Sequence, residues 1–291
     1  MLNLTIFTPT YNREKEILRT YNSLLRQSVF DFEWLIVDDG STDETEKEVK
    51  KWIENSPFLI RYIKQKNAGK YRAYNQGLLA AKGELFFCVD SDDWLPDLTV
   101  ERIIGYAKSL KGNLRAAGII GLKVYPNMAV MGTTFSLELD SASLFDLEML
   151  GQNGERSIIF RTDIAKQYLF PEETNEKFMT ESVIYDRYYG EYVFCVENEA
   201  FTICEYQKNG LSSNPRKLML DNPAGYKLYF AQRIDLPYSF LTRVKNAVSY
   251  NIFSKLYKGN AFCYRGKYRF LVKLLFPVGC VFAWIYKKKY R

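Results

Sequence analysis

Three carboxylates in four positions, Asp90-Ser91-Asp92-Asp93, follow a short apolar run in this chain of 291 residues. Carboxylates at this spacing repel one another strongly unless a cation joins them. The chain contains no histidine, so a bound metal would be held by oxygen atoms, which favours Mg²⁺ or Mn²⁺ over zinc. Such an ion can bridge to a diphosphate and stabilise the charge on a departing phosphate group. A solvated turn that caps the next helix is the alternative interpretation.

A second polar motif, Asp38-Asp39-Gly40-Ser41, also follows an apolar run. Its carboxylates could accept hydrogen bonds from a nucleotide base or from ribose hydroxyls, and Gly40 permits a tight turn with positive φ. An ordinary Asp-Gly turn is the alternative.

A third motif occupies residues 65–70 (QKNAGK). Asn67 and Gly69 would form a flexible entry to a helix, where backbone N–H groups and the ammonium group of Lys70 could meet an anion. A capped surface helix is the alternative for this segment.

The elements that would position these motifs alternate along the first 125 residues. Apolar runs predict strands near residues 4–8, 34–37, 59–63, 85–89 and 116–124, and helices are predicted near residues 14–27, 43–55, 70–82 and 97–110. This order predicts an α/β fold with a mostly parallel sheet flanked by helices. Since ligands gather at the carboxyl ends of strands in such sheets, we expect the polar motifs to share one edge.

The order of elements is less regular after residue 125. Residues 155–161 and 201–206 are typical of strands, and residues 145–150 and 181–189 of helices. From residue 237 onward, helical apolar spacing returns with many aromatic and basic residues.

Taken in chain order, the motifs resemble those of family 2 inverting glycosyltransferases with the GT-A fold. The resemblance adds residues 8–13 (TPTYNR) and the positions Ala73, Asn75 and Gly77 to the motifs above, and it covers roughly residues 2–215. It implies a catalytic domain over residues 1–235, with nucleotide-sugar binding in residues 1–125 and the acceptor side in residues 126–235.

The resemblance also implies roles for single residues. The metal, Mn²⁺ or Mg²⁺, would be held by Asp92 with Asp90, and affinity without the donor would be weak because the histidine of some relatives is missing. A segment around residues 206–212 is similar to a late family segment near the donor phosphates. The implied donor-binding residues are Thr8, Pro9, Tyr11, Asp38, Asp39, Asn67, Gly69, Lys70, Arg72, Asp90 and Ser91.

An inverting transfer needs a base that takes the proton of the acceptor hydroxyl. Family members often carry a carboxylate pair at the start of a helix, and here Thr180-Glu181-Ser182 stands at that place. We expect two catalytic residues: Glu181 as the base and Asp92 as the metal ligand. Asp186 is a weaker candidate for the base. Ser182 departs from the usual aspartate, and a first-turn carboxylate favoured by the helix dipole is the alternative for Glu181.

The last 56 residues, 236–291, form a basic, aromatic, helical extension with 12 Lys and Arg and no Asp or Glu. Within it, residues 268–291 combine apolar runs with a terminal group of lysines and predict a segment in a membrane interface. A helix packed on the catalytic body, or a homodimer contact, is the alternative. Nothing indicates nucleic-acid binding.

The sequence therefore predicts a transferase that moves a sugar from a nucleotide sugar, such as a UDP-sugar, to a hydroxyl of a glycan or lipid-linked acceptor in surface polysaccharide synthesis. Five cysteines without a CxxC pair favour a reducing compartment, so we expect a cytoplasmic protein, peripheral on the inner face of the cell membrane. A nucleotidyltransferase on a similar fold and a nucleotide-sugar-binding protein without turnover are the alternatives.

Overall fold

The computed structural model describes residues 2–110, 112–172, 175–205 and 214–290. The chain divides into two compact units. The first contains Met1–Leu169 and Tyr188–Tyr206, and the second contains Phe170–Arg187 and Gln207–Arg291. The sequence analysis divides the chain by role, into a catalytic domain over residues 1–235 and an extension over residues 236–291. That division stays a prediction.

Strands and helices alternate in the first part of the first unit, as the hydrophobic pattern predicts. They are β1 (Leu4–Thr10), α1 (Ile17–Leu25), β2 (Phe32–Asp38), α2 (Thr45–Asn55), β3 (Leu59–Lys64), α3 (Lys70–Ala80), β4 (Leu85–Cys88), α4 (Thr99–Leu110) and β5 (Ala116–Val124). The unit continues with β6 (Ser141–Ala142), α5 (Leu144–Met149), β7 (Arg156–Arg161), α6 (Thr162–Ala165) and β8 (Val193–Ile203).

Within the described residues these eight strands form one sheet in the order β3-β2-β1-β4-β7-β5-β8-β6. The first four neighbours, β3 to β4, pair in parallel. β7 is antiparallel to both β4 and β5, and β5 is parallel to β8. The predicted mostly parallel sheet is therefore interrupted by β7, which the chain inserts between β4 and β5.

Helix α1 shows why these segments pack on the sheet. Its buried residues Ile17, Tyr21 and Leu24 recur at helical spacing, so they form one apolar stripe. Tyr21 stacks on Trp52 with 4.4 Å between the ring centroids, and Trp34 of β2 stacks on the same pair. This aromatic group joins two helices to the strand beneath them.

Helix α3 approaches β1 closely at a glycine. A Cβ atom on Gly77 would lie 2.2 Å from the Phe7 ring, far inside van der Waals contact. Phe7 is fully buried and stacks on Phe86 of β4 with 5.3 Å between ring centroids. The glycine therefore lets the helix that follows residues 65–69 lie directly on the sheet.

Two predicted elements differ from the observed ones. The strand predicted at residues 201–206 begins earlier, because β8 extends from Val193 to Ile203. The helix predicted at residues 181–189 is shorter: α7 (Ser182–Tyr185) continues into a 3-10 turn at Asp186–Tyr188.

The described residues of the second unit are mainly helical. After α7 come α8 (Pro215–Asp221), α9 (Pro223–Asp235), α10 (Phe240–Leu256), α11 (Arg269–Leu274) and α12 (Phe276–Tyr290). A small core joins α9, α10 and α11 through Ile234, Ala247, Tyr250 and Val272. No helix of the described residues is both long and apolar enough to cross a membrane.

Candidate functional site

The first three strands bring their polar motifs to one edge of the sheet. Thr10 at the end of β1 pairs in register with Asp38 at the end of β2, and Asp38 pairs with Lys64 at the end of β3. The loops beyond them are joined by hydrogen bonds, since the Asn12 backbone N–H donates to Ser41 Oγ at 2.9 Å. The loops after β1 and β2 therefore form one continuous surface.

Asp39 holds the third motif in place. Its Oδ1 accepts from Gln65 Nε2 at 2.7 Å and from the Ala68 N–H at 2.8 Å, and its Oδ2 accepts from the Gly69 N–H at 2.8 Å. The side chain is buried. Three hydrogen-bond donors from one loop meet Asp39 and fix the shape of residues 65–69. Asp39 therefore holds this loop in place, and a contact with a ribose or base would be additional.

Asp38 is buried and has protein partners as well. Its Oδ1 accepts from the Ser41 N–H at 2.6 Å, and Tyr62 donates its hydroxyl to Oδ2. Burial and the hydrogen bond to Asp38 raise the pKa of Tyr62, so its hydroxyl stays protonated and keeps donating.

The predicted residues of β1 differ in what they offer to a ligand. β1 runs to Thr10, two residues beyond the strand predicted near residues 4–8, so both Thr8 and Pro9 lie within the strand. Thr8 is fully buried, and its Oγ1 accepts from Trp34 Nε1 at 2.9 Å inside the core, so the side chain serves the packing of the sheet. Tyr11 is 48% exposed and stands free to stack on a ring.

Three basic side chains balance the charge of the acidic loop after β4. Asp90 pairs with Lys70 Nζ at 2.8 Å, and Asp92 lies 4.0 Å from the Arg13 guanidinium. Asp93 pairs with Lys123 of β5 at 3.2 Å, in a position where the aspartate side chain is only 9% exposed. Each carboxylate thus faces a different basic group.

The electrostatics separate the three carboxyls. Burial opposes ionisation of Asp90, but Lys70 and Lys123 outweigh it and hold the pKa of that carboxyl below its ordinary value. Burial raises the pKa of Asp93 to about 6, although Lys123 acts against the rise. Asp92 keeps a side chain that is 26% exposed. Asp90 and Asp92 are therefore the members suited to an external cation, and Asp93 serves the interior.

The metal prediction can be set against this geometry. No group of three or more Cys, Asp or Glu side chains arranged to hold a metal is present in the part of the chain that the structure describes. Two carboxylates in one loop, each already balanced by a basic side chain, fit an ion whose remaining ligands come from a bound diphosphate and water. Weak metal affinity without the donor stays a prediction.

The remaining residues that were predicted to bind the sugar donor lie around the start of α3. Gly69 has φ of 100°, a conformation that favours glycine, and immediately precedes Lys70. Arg72 donates to the Ala68 carbonyl at 2.7 Å and lies over the Tyr71 ring at 4.6 Å. Asn67, which closes the loop, packs against Gly40: a Cβ on that glycine would lie 2.9 Å from the Asn67 nitrogen.

The backbone of the acidic loop is fixed from α1. Thr20 Oγ1 donates to the Asp93 carbonyl at 2.7 Å and lies 3.4 Å from the Ser91 carbonyl oxygen. Ser91 itself is buried. We infer that the loop is held rigidly enough to present Asp90 and Asp92 in a defined geometry.

Glu181 belongs to the second unit and directly precedes α7. The Tyr185 hydroxyl lies 3.4 Å from Glu181 Oε2. Asp186, the weaker candidate for the base, forms a buried ion pair with Arg233, at 2.8 Å and 3.3 Å to its two oxygens. A carboxylate held in this way is a poor proton acceptor, so the geometry favours Glu181 of the two. Residues 206–212, which the resemblance places near the donor phosphates, lie outside the described residues.

Sequence reasoning missed Lys123 and Tyr62. Lys123 has a recognisable signal, because it is the one charged residue in the apolar strand β5 (AAGIIGLKV). A lone lysine in such a strand needs a buried carboxylate partner. Tyr62 in β3 carries no such signal, since aromatic residues are ordinary in strands.

Comparison with known proteins shows which sequences and structures the chain resembles. A model of the family described as glycosyl transferase family 2 matches residues 5–119. The chondroitin synthase of Escherichia coli is 39% identical over 98 residues, which are 34% of this chain and 14% of that protein. The matched stretch spans less than a third of the length of the curated relatives compared.

Two solved structures share the fold over nearly the whole chain. Staphylococcus aureus TarS 1–349 in complex with UDP-GlcNAc aligns with a TM-score of 0.63 and 20% identity, covering 97% of this chain and 79% of that one. The mannosyltransferase PcManGT from Pyrobaculum calidifontis, in complex with GDP-Man and Mn²⁺, aligns with a TM-score of 0.56 and 16% identity, covering 98% and 82%. The predicted α/β fold of the GT-A type is confirmed.

Proposed function

We propose that the chain, whose residues 5–119 match the model of glycosyl transferase family 2, transfers a sugar from a nucleoside diphosphate sugar to an acceptor hydroxyl, with inversion at the anomeric carbon. The observation that carries the proposal is the convergence of the loops after β1, β2, β3 and β4, which places Tyr11, Asp39, Lys70 and Asp92 in connected loops of one unit.

We assign the donor side to the first unit. Tyr11 supplies an exposed ring for the base, and the loop fixed by Asp39 supplies backbone N–H groups. Lys70 and Arg72 carry positive charge toward the sugar and phosphates. A UDP-sugar is the proposed donor, since one fold neighbour is complexed with UDP-GlcNAc, although another holds GDP-Man.

We assign Mn²⁺ or Mg²⁺ to Asp92 and Asp90. When bound, the ion would supply positive charge that stabilises the nucleoside diphosphate as it departs. Binding the donor and ion would reorganise existing pairs, because Lys70 now contacts Asp90 and Arg13 lies near Asp92. Both basic side chains can then turn toward the phosphates.

We assign proton removal to Glu181 because it stands in the sequence motif and because Asp186, the other candidate, is already paired with Arg233. A bond forms between the acceptor oxygen and the anomeric carbon as the bond from that carbon to the diphosphate oxygen breaks. The hydroxyl proton passes to the Glu181 carboxylate, and the nucleoside diphosphate leaves. A protein that binds nucleotide sugar without turnover stays an alternative, because Ser182 replaces the usual second carboxylate.

We propose a role in surface polysaccharide synthesis, with a glycan or lipid-linked glycan as acceptor. The protein would work at the cytoplasmic face of the membrane, in contact with it through the carboxyl-terminal helices. Support comes from the relatives, which include a chondroitin synthase, and from the basic charge of residues 236–291.

The test measures nucleoside diphosphate release from a panel of nucleotide sugars with Mn²⁺, with and without candidate glycan acceptors. We expect release with one donor and its near loss, by about a hundredfold or more, in Asp92→Ala. Asp97→Asn is the matched control, because Asp97 is an exposed aspartate of the same region that pairs with Arg26. Absence of release with every donor, or an Asp92→Ala variant as active as the parent, would refute the enzyme assignment.

A further inference from the structure

The last two helices of the second unit leave large apolar side chains uncovered. Six of them define what we call the tail surface, and each is between 43% and 77% exposed: Phe270, Leu274, Val281, Phe282, Trp284 and Ile285. Isolated exposed apolar residues are ordinary, whereas six large ones within 16 positions of the chain indicate a surface that meets another apolar phase.

Packing fixes which side of α12 faces outward. Gly279 and Ala283, one turn apart, are buried, and a Cβ on Gly279 would lie 2.4 Å from Asn251 of α10. The helix therefore lies against α10 through its small residues. Val281 and Ile285 stand on the opposite side of α12, so they cannot turn inward without lifting the helix away.

Basic residues border the tail surface. Arg269 and Lys273 are exposed in α11, and residues 287–289 are three lysines in the last turns of α12. Lys288 Nζ lies 5.3 Å from the Trp284 ring, so charge and aromatic surface are adjacent. No acidic residue occurs after Asp235, which leaves nothing in this region to repel an anionic partner.

We propose that the tail surface docks on an anionic phospholipid bilayer, with α12 lying in the plane of the interface. The side chains that combine here, tryptophan, phenylalanine and lysine, are those that favour the boundary between headgroups and acyl chains. The inference deepens the membrane contact included in the proposed function by naming the surface that makes it.

The length of α12 supports an orientation along the membrane. Its 15 residues span about 22 Å at 1.5 Å per residue, whereas a bilayer core is about 30 Å thick. The helix also ends in three consecutive lysines, which remain at headgroup level when the apolar face is buried.

The experiment is co-sedimentation of the full chain with vesicles of phosphatidylcholine alone and of phosphatidylcholine mixed with phosphatidylglycerol. We expect binding that requires the anionic lipid. The double variant Phe282→Ser/Trp284→Ser should lower the partition coefficient by about tenfold or more, and Lys287→Gln/Lys288→Gln by about tenfold. Circular dichroism of each variant checks that the helices are retained.

Leu137→Ser is the matched control, because Leu137 is 93% exposed and lies in the first unit. Its partition coefficient should equal that of the parent. Equal binding to neutral and anionic vesicles, absence of binding, or binding unchanged in Phe282→Ser/Trp284→Ser would overturn the proposal. A dimer in solution that the same double variant dissociates, without vesicle binding by the parent, would show that a second copy covers the surface and would also overturn it.

Failure of this inference is separable from failure of the proposed transferase activity. Vesicle binding needs neither donor nor acceptor, so Asp92→Ala should bind vesicles as the parent does. Phe282→Ser/Trp284→Ser, in turn, should keep nucleoside diphosphate release with water-soluble substrates.

Discussion

Three aspartates within four positions of the acidic loop have different surroundings. Asp92 is partly exposed beside Arg13, whereas Asp93 is buried against Lys123. Spacing alone makes the three carboxylates equivalent, whereas their burial and their different basic partners distinguish them. Lys123 thus compensates the charge of Asp93, and we propose that Asp90 and Asp92 are the two carboxylates that meet the ligand.

Replacing Lys123 tests this division. In Lys123→Met, Asp93 keeps its buried position without a cation, and we expect the free energy of unfolding to fall by about 3 kcal/mol. The double variant Lys123→Met/Asp93→Asn removes both charges and should recover most of the loss. Urea unfolding measures both values.

Lys64→Met is the control for removing a lysine from an ion pair, because Lys64 pairs with Glu46 at the surface. It should lower the free energy of unfolding far less than Lys123→Met does, because an exposed ion pair contributes little to stability. Equal losses in Lys123→Met and in the double variant would show that Lys123 does not serve to compensate Asp93.

Glu181 is the residue that we propose as the catalytic base. Glu181→Gln keeps the size of the side chain and removes its basicity, so we expect transfer to fall by about a hundredfold or more while the dissociation constant for donor and Mn²⁺ stays within twofold or so. Initial rates and calorimetry measure the two quantities. Asp163→Asn, at an exposed aspartate in α6, serves as the control, and retained transfer in Glu181→Gln would move the role to another group.

Among the elements, α7 is a short helix that depends on its neighbours. It has four residues, too few to be stable alone. Helix α9 holds it through the buried Arg233–Asp186 ion pair and through Gln232, which donates to the Val183 carbonyl at 3.2 Å. The position of Glu181 before α7 is therefore set by side chains of α9.

Arg233→Met should release α7 and misplace the proposed base. We expect kcat for transfer to fall by about a hundredfold, the scale of an ångström-level misplacement, with donor binding unchanged. Arg233→Lys keeps the charge without the two-point contact and should recover part of the rate. A fall in donor affinity equal to the fall in kcat would contradict a positioning role, and Lys245→Met in α10 controls for loss of a basic side chain.

The elements differ in how far the sequence predicts them. Strands β1 to β5 and the helices between them were predicted because each strand is a short apolar run, and the site edge follows from their ends. The insertion of β7 between β4 and β5 was not predicted, since it depends on pairing between distant residues.

β8 was predicted too short for a related reason. Its central residues Glu197, Asn198 and Glu199 are polar, so the segment lacks the continuous apolar run that predicts a buried strand. The hydrogen bonds to Asp39 were also not predictable, because backbone N–H groups occur in nearly every residue and the sequence does not show which of them donate. The residue types at the site could be named, but not their hydrogen-bond partners.

At the scale of the molecule, the fold carries its own counterions. Lys70, Lys123 and Arg13 balance the acidic loop, so we expect the first unit to assemble without a metal. The whole chain has a net charge of +6. Residues 236–291 have a charge of +12, so residues 1–235 have a net charge of −6 (6 − 12).

Metal removal should therefore leave the melting temperature unchanged. EDTA is expected to shift it by less than about 1 °C, whereas UDP with Mn²⁺ should raise it by several degrees, since a ligand at a hundredfold its dissociation constant adds about 2.7 kcal/mol to the free energy of unfolding. Differential scanning fluorimetry measures both shifts, and Asp92→Ala should lose the second. A large drop with EDTA alone would indicate a structural ion.

The contact between Gly77 and Phe7 has a consequence for anyone who wishes to make this protein more heat-resistant. Replacing helical glycines by alanine is a common route to stabilisation, worth up to about 1 kcal/mol each. Gly105 of α4 suits it, since a methyl group there would meet nothing within 4 Å. At Gly77 the same methyl group would enter the Phe7 ring, and overpacking would cost about 1–3 kcal/mol. Two glycines that look alike in a helical sequence should thus respond with opposite signs in thermal melting, and the sheet beneath each helix decides which is open to engineering.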